Sequence, residues 1–147
     1  MPHVIATKIM PVPANRAWDF VSNWGGTDRW IPGVGPVTVE GAGVGSIRSA
    51  DLAPETGFPG RISERLETFD SEEMSFSYCV VGDNPIPIKN YLAKMSVKVI
   101  SKNSCEVTWQ STWDTHLDET ELITAFNGLY NLSLDNAEHL MMSESGQ

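Results

Sequence analysis

Apolar and polar positions alternate with a period of two along most of the chain, and from Asp118 the period changes to about 3.6. The first pattern predicts half-buried strands, the second an amphipathic helix. His3–Val12 reads as a strand closed by Pro11 and Pro13, and Asn15 is placed to cap a short helix over Arg16–Ser22 with Trp18 and Val21 facing inward. Gly25-Gly26 breaks that helix, and Thr27–Ile31 reads as a second helical turn ended by Pro32-Gly33. Further strands are expected at Val37–Val39, Gly45–Leu52, Gly60–Asp70, Met74–Val80, Lys89–Ser101 and Cys105–Asp114. Gly41–Gly43 supplies a hairpin turn, and two Pro- and Gly-rich loops, Ala53–Pro59 and Gly82–Pro87, separate other strands.

The final stretch, Asp118–Met142, is about 35 Å long as a helix. Thr115 or Asp118 can cap it, and Leu122, Phe126, Leu129, Ser133, Asn136, Ala137 and Leu140 share one face at 100° per residue. One long helix among hairpin-joined strands must be wrapped by a curved antiparallel sheet. The predicted fold class is therefore α+β, a seven-stranded curved sheet around a long C-terminal helix, with two short helices after the first strand. One domain is expected over residues 1–143, with 144–147 frayed. Ser133 and Asn136 interrupt the apolar stripe. They either hydrogen-bond nearby backbone or line a space between helix and sheet.

A chain of 147 residues can bury a real core. Its net charge of −9 argues against nucleic acid or an anionic membrane as partner, since both need clustered Lys and Arg. The start, MPHVIATKIMPVPA, lacks the basic and apolar regions of a secretory leader. Cys79 and Cys105 read as reduced thiols, so a cytoplasmic protein is expected. His3, His116 and His139 are scattered, so neither a metal site nor a cofactor is expected. The run GAGVG precedes a strand instead of a helix, which argues against dinucleotide binding.

Candidate chemistry begins with Glu64. It lies between Ile62 and Leu66, on the face that points at the helix. A carboxylate there is costly unless it is paired, hydrated or held neutral. A register slip, a buried ion pair or a bulge would each account for it without function. Arg48 shares its phase with Ala50 and Leu52 but opposes Ile47, so its side is ambiguous; turned inward, it would be a ready partner for Glu64. Tyr91 opens the inward series Tyr91, Ala93, Met95, Val97 and Val99, and a buried phenol needs a hydrogen-bond partner. Arg, Glu and Tyr in an apolar pocket suit anion anchoring and proton transfer. Trp30, Phe76, Tyr78, Met95, Trp109, Phe126 and Leu129, with Ser133 and Asn136, are expected to border that pocket and touch a hydrophobic or aromatic small-molecule ligand.

Several segments carry a resemblance. They are WIPGV (Trp30–Val34), GAGVGSIR (Gly41–Arg48), ERLETFD (Glu64–Asp70), SYCV (Ser77–Val80), PIPIKNY (Pro85–Tyr91) and VTWQSTW (Val107–Trp113). Their order resembles the helix-grip fold of the START-like (birch-pollen-allergen-like) superfamily, and more closely its polyketide cyclase/dehydrase-like family. That group includes cyclases, carriers and hormone receptors. Lachrymatory-factor synthases look similar, and their reaction is attributed to an Arg, a Glu and a Tyr; the motif-bound positions here are Arg48, Glu64 and Tyr91. The resemblance implies a cofactor-independent cyclase, dehydratase or isomerase, or else a carrier of a lipid or aromatic ligand. In the related plant receptors, loops like Ala53–Pro59 and Gly82–Pro87 act as gate and latch, but those receptors' gate and latch sequences are absent, so hormone binding is not implied. Oligomeric state and substrate stay open.

Overall fold

Strand β4, Gly60–Asp70, shows how the sheet is set. Hairpins join it to β3 (Ile47–Leu52) on one side and β5 (Ser75–Val80) on the other, so its alternation fixes which residues of all three point inward. In the computed structural model, which describes residues 2–145, these strands belong to a seven-stranded sheet ordered β1-β7-β6-β5-β4-β3-β2. The remaining strands are β1 (His3–Met10), β2 (Thr38–Glu40), β6 (Lys89–Ser101) and β7 (Ser104–Asp114). Every pairing is antiparallel. Helix α1 (Ala14–Val21) and a 3-10 turn at Thr27–Arg29 follow β1, and α2 (Glu119–Ser145) closes the chain. The predicted fold class is the observed one.

Some boundaries and caps differ. The first helix starts at Ala14, because Pro13 at its N-cap has extended dihedrals and its carbonyl accepts from the amides of Arg16 and Ala17. Asn15 therefore lies inside the helix and does not cap it. At α2, Asp118 is the cap, accepting from the Thr120 amide at 2.9 Å, while Thr115 donates to the Pro87 carbonyl. Residues 144 and 145, read as frayed, continue α2; residues 146 and 147 lie outside the described residues. Cys105 is buried, but Cys79 is only half-buried and donates to Glu67 Oε1 at 2.7 Å.

The helix is also rotated from the predicted face. Leu122, Phe126, Tyr130, Ser133, Leu134, Ala137 and Met141 are buried, whereas Leu129, Asn136 and Leu140 are half-exposed. Two kinds of contact hold that rotation. Lys8, at an inward position of β1, reaches Asp135 at 2.9 Å and Glu138 at 3.2 Å on α2. Arg16 donates to the Met141 carbonyl at 2.6 Å, and Arg29 pairs with Glu144 at 2.6 Å, tying the first corner to the last turn.

A bulge shifts the β4–β5 register between Leu66 and Thr68. Beyond it, Phe69 lies opposite Phe76 and packs against Trp18, with ring centroids 5.2 Å apart. One half of the sheet's inner side is thereby closed with aromatic rings. The rotation has a measurable consequence. Leu134→Ala, at a fully buried position, is expected to lower unfolding free energy by about 3 kcal/mol, and Leu129→Ala by about 1 kcal/mol. Urea unfolding checks this; equal costs would contradict the observed face.

Candidate functional site

In the β3–β4 register, Arg48 stands directly opposite Glu64. Cross-strand neighbours on one face touch, and this face is the inner one, where Ala50 and Leu66 are also buried. Arg48 Nε donates to Glu64 Oε1 at 2.8 Å. The phase of Arg48, ambiguous from the sequence, is thus inward, with the residue 6% exposed. The bulge that could have turned Glu64 outward falls further along β4 and leaves it aimed inward.

The guanidinium is held on more than one side. Its Nη1 donates to the Trp24 carbonyl at 3.2 Å, and its carbon lies 3.8 Å from the Trp24 ring and 4.7 Å from the Tyr78 ring. Two of the five N–H groups of the guanidinium are used, which leaves three without a partner among the described residues. Glu64 Oε2 likewise has no protein partner among them.

Both residues face a cavity of about 440 Å³ between the inner side of the sheet and α2. That is a volume suited to a small ligand. Tyr78, Tyr91, Trp109, Phe126 and Leu129 line it, as read from the sequence. Phe76 and Met95 do not, because they fill the closed half of the sheet: Phe76 packs on Trp18 and Trp24, and Met95 is buried opposite both Phe76 and Trp109. Trp30 is also outside, buried against Trp109 and Phe20. Ser133 is sealed under α2, where its hydroxyl donates to the Leu129 carbonyl at 2.6 Å, and Asn136 donates to the Trp30 carbonyl at 3.3 Å. Ser133 is thus bonded to backbone one helical turn earlier, whereas Asn136 reaches a carbonyl distant in sequence.

The two Pro- and Gly-rich loops meet at the cavity mouth. Glu55, Thr56 and Phe58 from one and Ile86 from the other line it. Gly60 has φ of +144°, and a Cβ there would lie 3.1 Å from Pro85, so glycine permits this close contact.

The cavity wall also carries a phenol cluster. Tyr91 Oη is hydrogen-bonded to Tyr130 Oη, which also contacts Ser111 Oγ at 2.8 Å. The Tyr130 ring stacks on Trp109 with centroids 3.9 Å apart, and Trp109 Nε1 donates to Tyr78 Oη at 3.0 Å. Tyr130 and Ser111 were not singled out from the sequence. Their signals are nonetheless there: Tyr130 is one helical turn beyond Phe126, and Ser111 is the polar member of the Cys105, Val107, Trp109, Trp113 series.

Burial is the main reason that Tyr78 and Tyr91 are held well above the ordinary phenol range, with the charge of Glu64 acting in the same direction. Tyr130 is also raised by burial. All three are neutral donors at physiological pH. Among the described residues, no three His, Cys, Asp or Glu side chains converge as metal ligands would.

These are the chain's only tyrosines, so alkaline behaviour is readable. Unfolded tyrosines release protons near pH 10 while the folded ones retain theirs. Stability should thus be full below that pH and fall above it, by up to about 1.4 kcal/mol per pH unit for each tyrosine. Tyrosinate absorbance is expected to rise only together with loss of circular dichroism. A tyrosinate step in the folded protein near pH 10 would contradict the burial.

The polyketide cyclase / dehydrase and lipid transport family matches residues 1–141. No curated protein matches the sequence. Among solved structures, XoxI from Bacillus cereus is similar with a TM-score of 0.84 at 23% identity, covering 99% of each chain. Norcoclaurine synthase from Thalictrum flavum, solved with dopamine and hydroxybenzaldehyde, has a TM-score of 0.76 at 17% identity, covering 96% of this chain and 86% of that one. The Zhui aromatase/cyclase from a Streptomyces species has a TM-score of 0.75 at 12% identity, covering 98% and 93%. At these identities the structures establish a shared fold. No helix among the described residues is long and apolar enough to cross a membrane.

Proposed function

The chain belongs to the polyketide cyclase / dehydrase and lipid transport family, and we propose that it is a cytosolic, cofactor-independent cyclase, dehydratase or isomerase. Its substrate is an apolar or aromatic, oxygenated small molecule bound in the cavity. The observation that carries this reading is the Arg48–Glu64 pair, which retains a free carboxylate oxygen and free N–H groups inside a mainly apolar chamber.

Each group has a distinct task. Glu64 removes a proton from a carbon next to a carbonyl, and the charge moves to the carbonyl oxygen as an enolate. Arg48 holds that oxygen through its unused N–H groups. Returning the proton elsewhere completes an isomerisation. Attack of the enolate carbon on a second carbonyl closes a ring, and loss of a hydroxyl with a proton from an acid is dehydration. Tyr91, a neutral phenol, orients the substrate or supplies that proton.

A second reading follows from the mainly apolar lining and from the lipid transport in the family description: the protein carries a ligand unchanged, and the polar groups only fix its orientation. Native mass spectrometry of the purified protein, followed by assay of polyketide-like and phenolic compounds, separates the two. On the enzyme reading, Glu64→Gln lowers turnover about a hundredfold while binding persists, since Gln keeps the shape but moves no proton. Unchanged turnover, or a tightly held and unaltered lipid, would assign the chain to carriage. In either case Glu64→Ala leaves Arg48 buried and unpaired, at a cost of about 3 kcal/mol in urea unfolding.

A further inference from the structure

The hydrogen-bond partners of the three phenols dictate where their protons point. An indole N–H can only donate, so Tyr78 Oη is the acceptor in its contact with Trp109. The Tyr78 proton must then go elsewhere; the Tyr91 hydroxyl is near enough to act on Tyr78, but no well-formed hydrogen bond joins the two among the described residues. Tyr78 is buried from bulk solvent but lines the cavity, so the open direction is inward.

The Tyr91–Tyr130–Ser111 chain admits two directions. If Tyr91 donates to Tyr130 and Tyr130 to Ser111, the Ser111 proton is left without an acceptor among the described residues, at a position only 3% exposed. A buried donor left unpaired carries its full desolvation cost. If Ser111 donates to Tyr130 and Tyr130 to Tyr91, every hydroxyl proton of this chain is satisfied except that of Tyr91, which lines the cavity. The second direction is therefore favoured, and it is completed by a molecule in the cavity.

We propose that Tyr78 and Tyr91, their rings 6.2 Å apart, present two O–H protons to one acceptor oxygen of the bound molecule, a carbonyl other than the one Arg48 holds. Tyr130 and Ser111 are positioning residues that set the direction of the chain. This deepens the ligand reading above, on which it rests. With Arg48 and Glu64 on β3 and β4 serving another atom, the substrate class becomes molecules with at least two oxygen functions, such as hydroxy-ketones and dicarbonyls. An aliphatic lipid without a carbonyl would leave two buried donors unpaired and is disfavoured.

The probe is 2-acetylnaphthalene with a ¹³C-labelled carbonyl, bound to the full chain and read by infrared difference spectroscopy, with affinity from calorimetry. The bound carbonyl stretch is expected at lower frequency than in an apolar solvent. Wild-type protein suffices for that part. Tyr78→Phe and Tyr91→Phe should each remove part of the displacement and weaken binding about threefold to tenfold. Tyr130→Phe should keep most of the displacement, since Tyr91 still donates inward. The opposite chain direction makes the opposite prediction: Tyr91→Phe changes nothing, and Tyr130→Phe increases the displacement by freeing the Tyr91 proton. That pattern, or a bound ketone with an undisplaced carbonyl, overturns the inference and leaves the cavity reading standing. A ketone that does not bind at all overturns both.

Discussion

Helix α2 is not wide enough to cover the inner side of a seven-stranded sheet, and the short α1 packs beside it mainly on β6 and β7. The rest of the molecule answers that constraint. On one side, Trp18, Phe76 and Met95 fill the gap, and beyond the β4 bulge the exposed Phe69 packs over Trp18 and Phe76 at its edge. On the other side the gap stays open, bounded by α2, strands β3 to β7 and two loops. The cavity is thus a consequence of topology, and the aromatic side chains decide where it ends.

Charge placed at such a boundary behaves differently from charge in water. A buried ion pair contributes little net stability, because desolvation offsets most of the attraction, yet breaking it is costly. Arg48 and Glu64 therefore make poor sense as a structural brace. They make better sense as chemical groups kept dry and in register by adjacent strands, with Trp24 holding the guanidinium by its ring and its carbonyl. The tyrosines complement them. Held neutral by burial, they offer protons where the pair offers charge, so one small chamber presents both kinds of polar contact.

Much of this was legible along the chain. Period-two alternation fixed the strands, since side chains on a strand change face at every residue; β4 and β6 were bounded to the residue. The same rule put Glu64 inward between Ile62 and Leu66, without any knowledge of a partner. The same alternation turned Tyr91 inward and left Arg48 ambiguous, and family resemblance then singled out the three together. All three line the cavity.

Tertiary structure alone decided the rest, because it depends on residues far apart in sequence. A helix offers several nearly equivalent faces, and a one-position rotation of α2 brought Tyr130 inward where Leu129 had seemed the better choice. What selects that rotation is the stack on Trp109, the hydrogen bonds to Tyr91 and Ser111, and the Lys8 ion pairs, none of them local. Inward phase, likewise, does not distinguish a side chain that lines a void from one that fills it, which is why Phe76, Met95 and Trp30 proved to be filling. Sequence periodicity determines the direction of each side chain; whether it meets a neighbour or an empty space is determined by how the sheet curves.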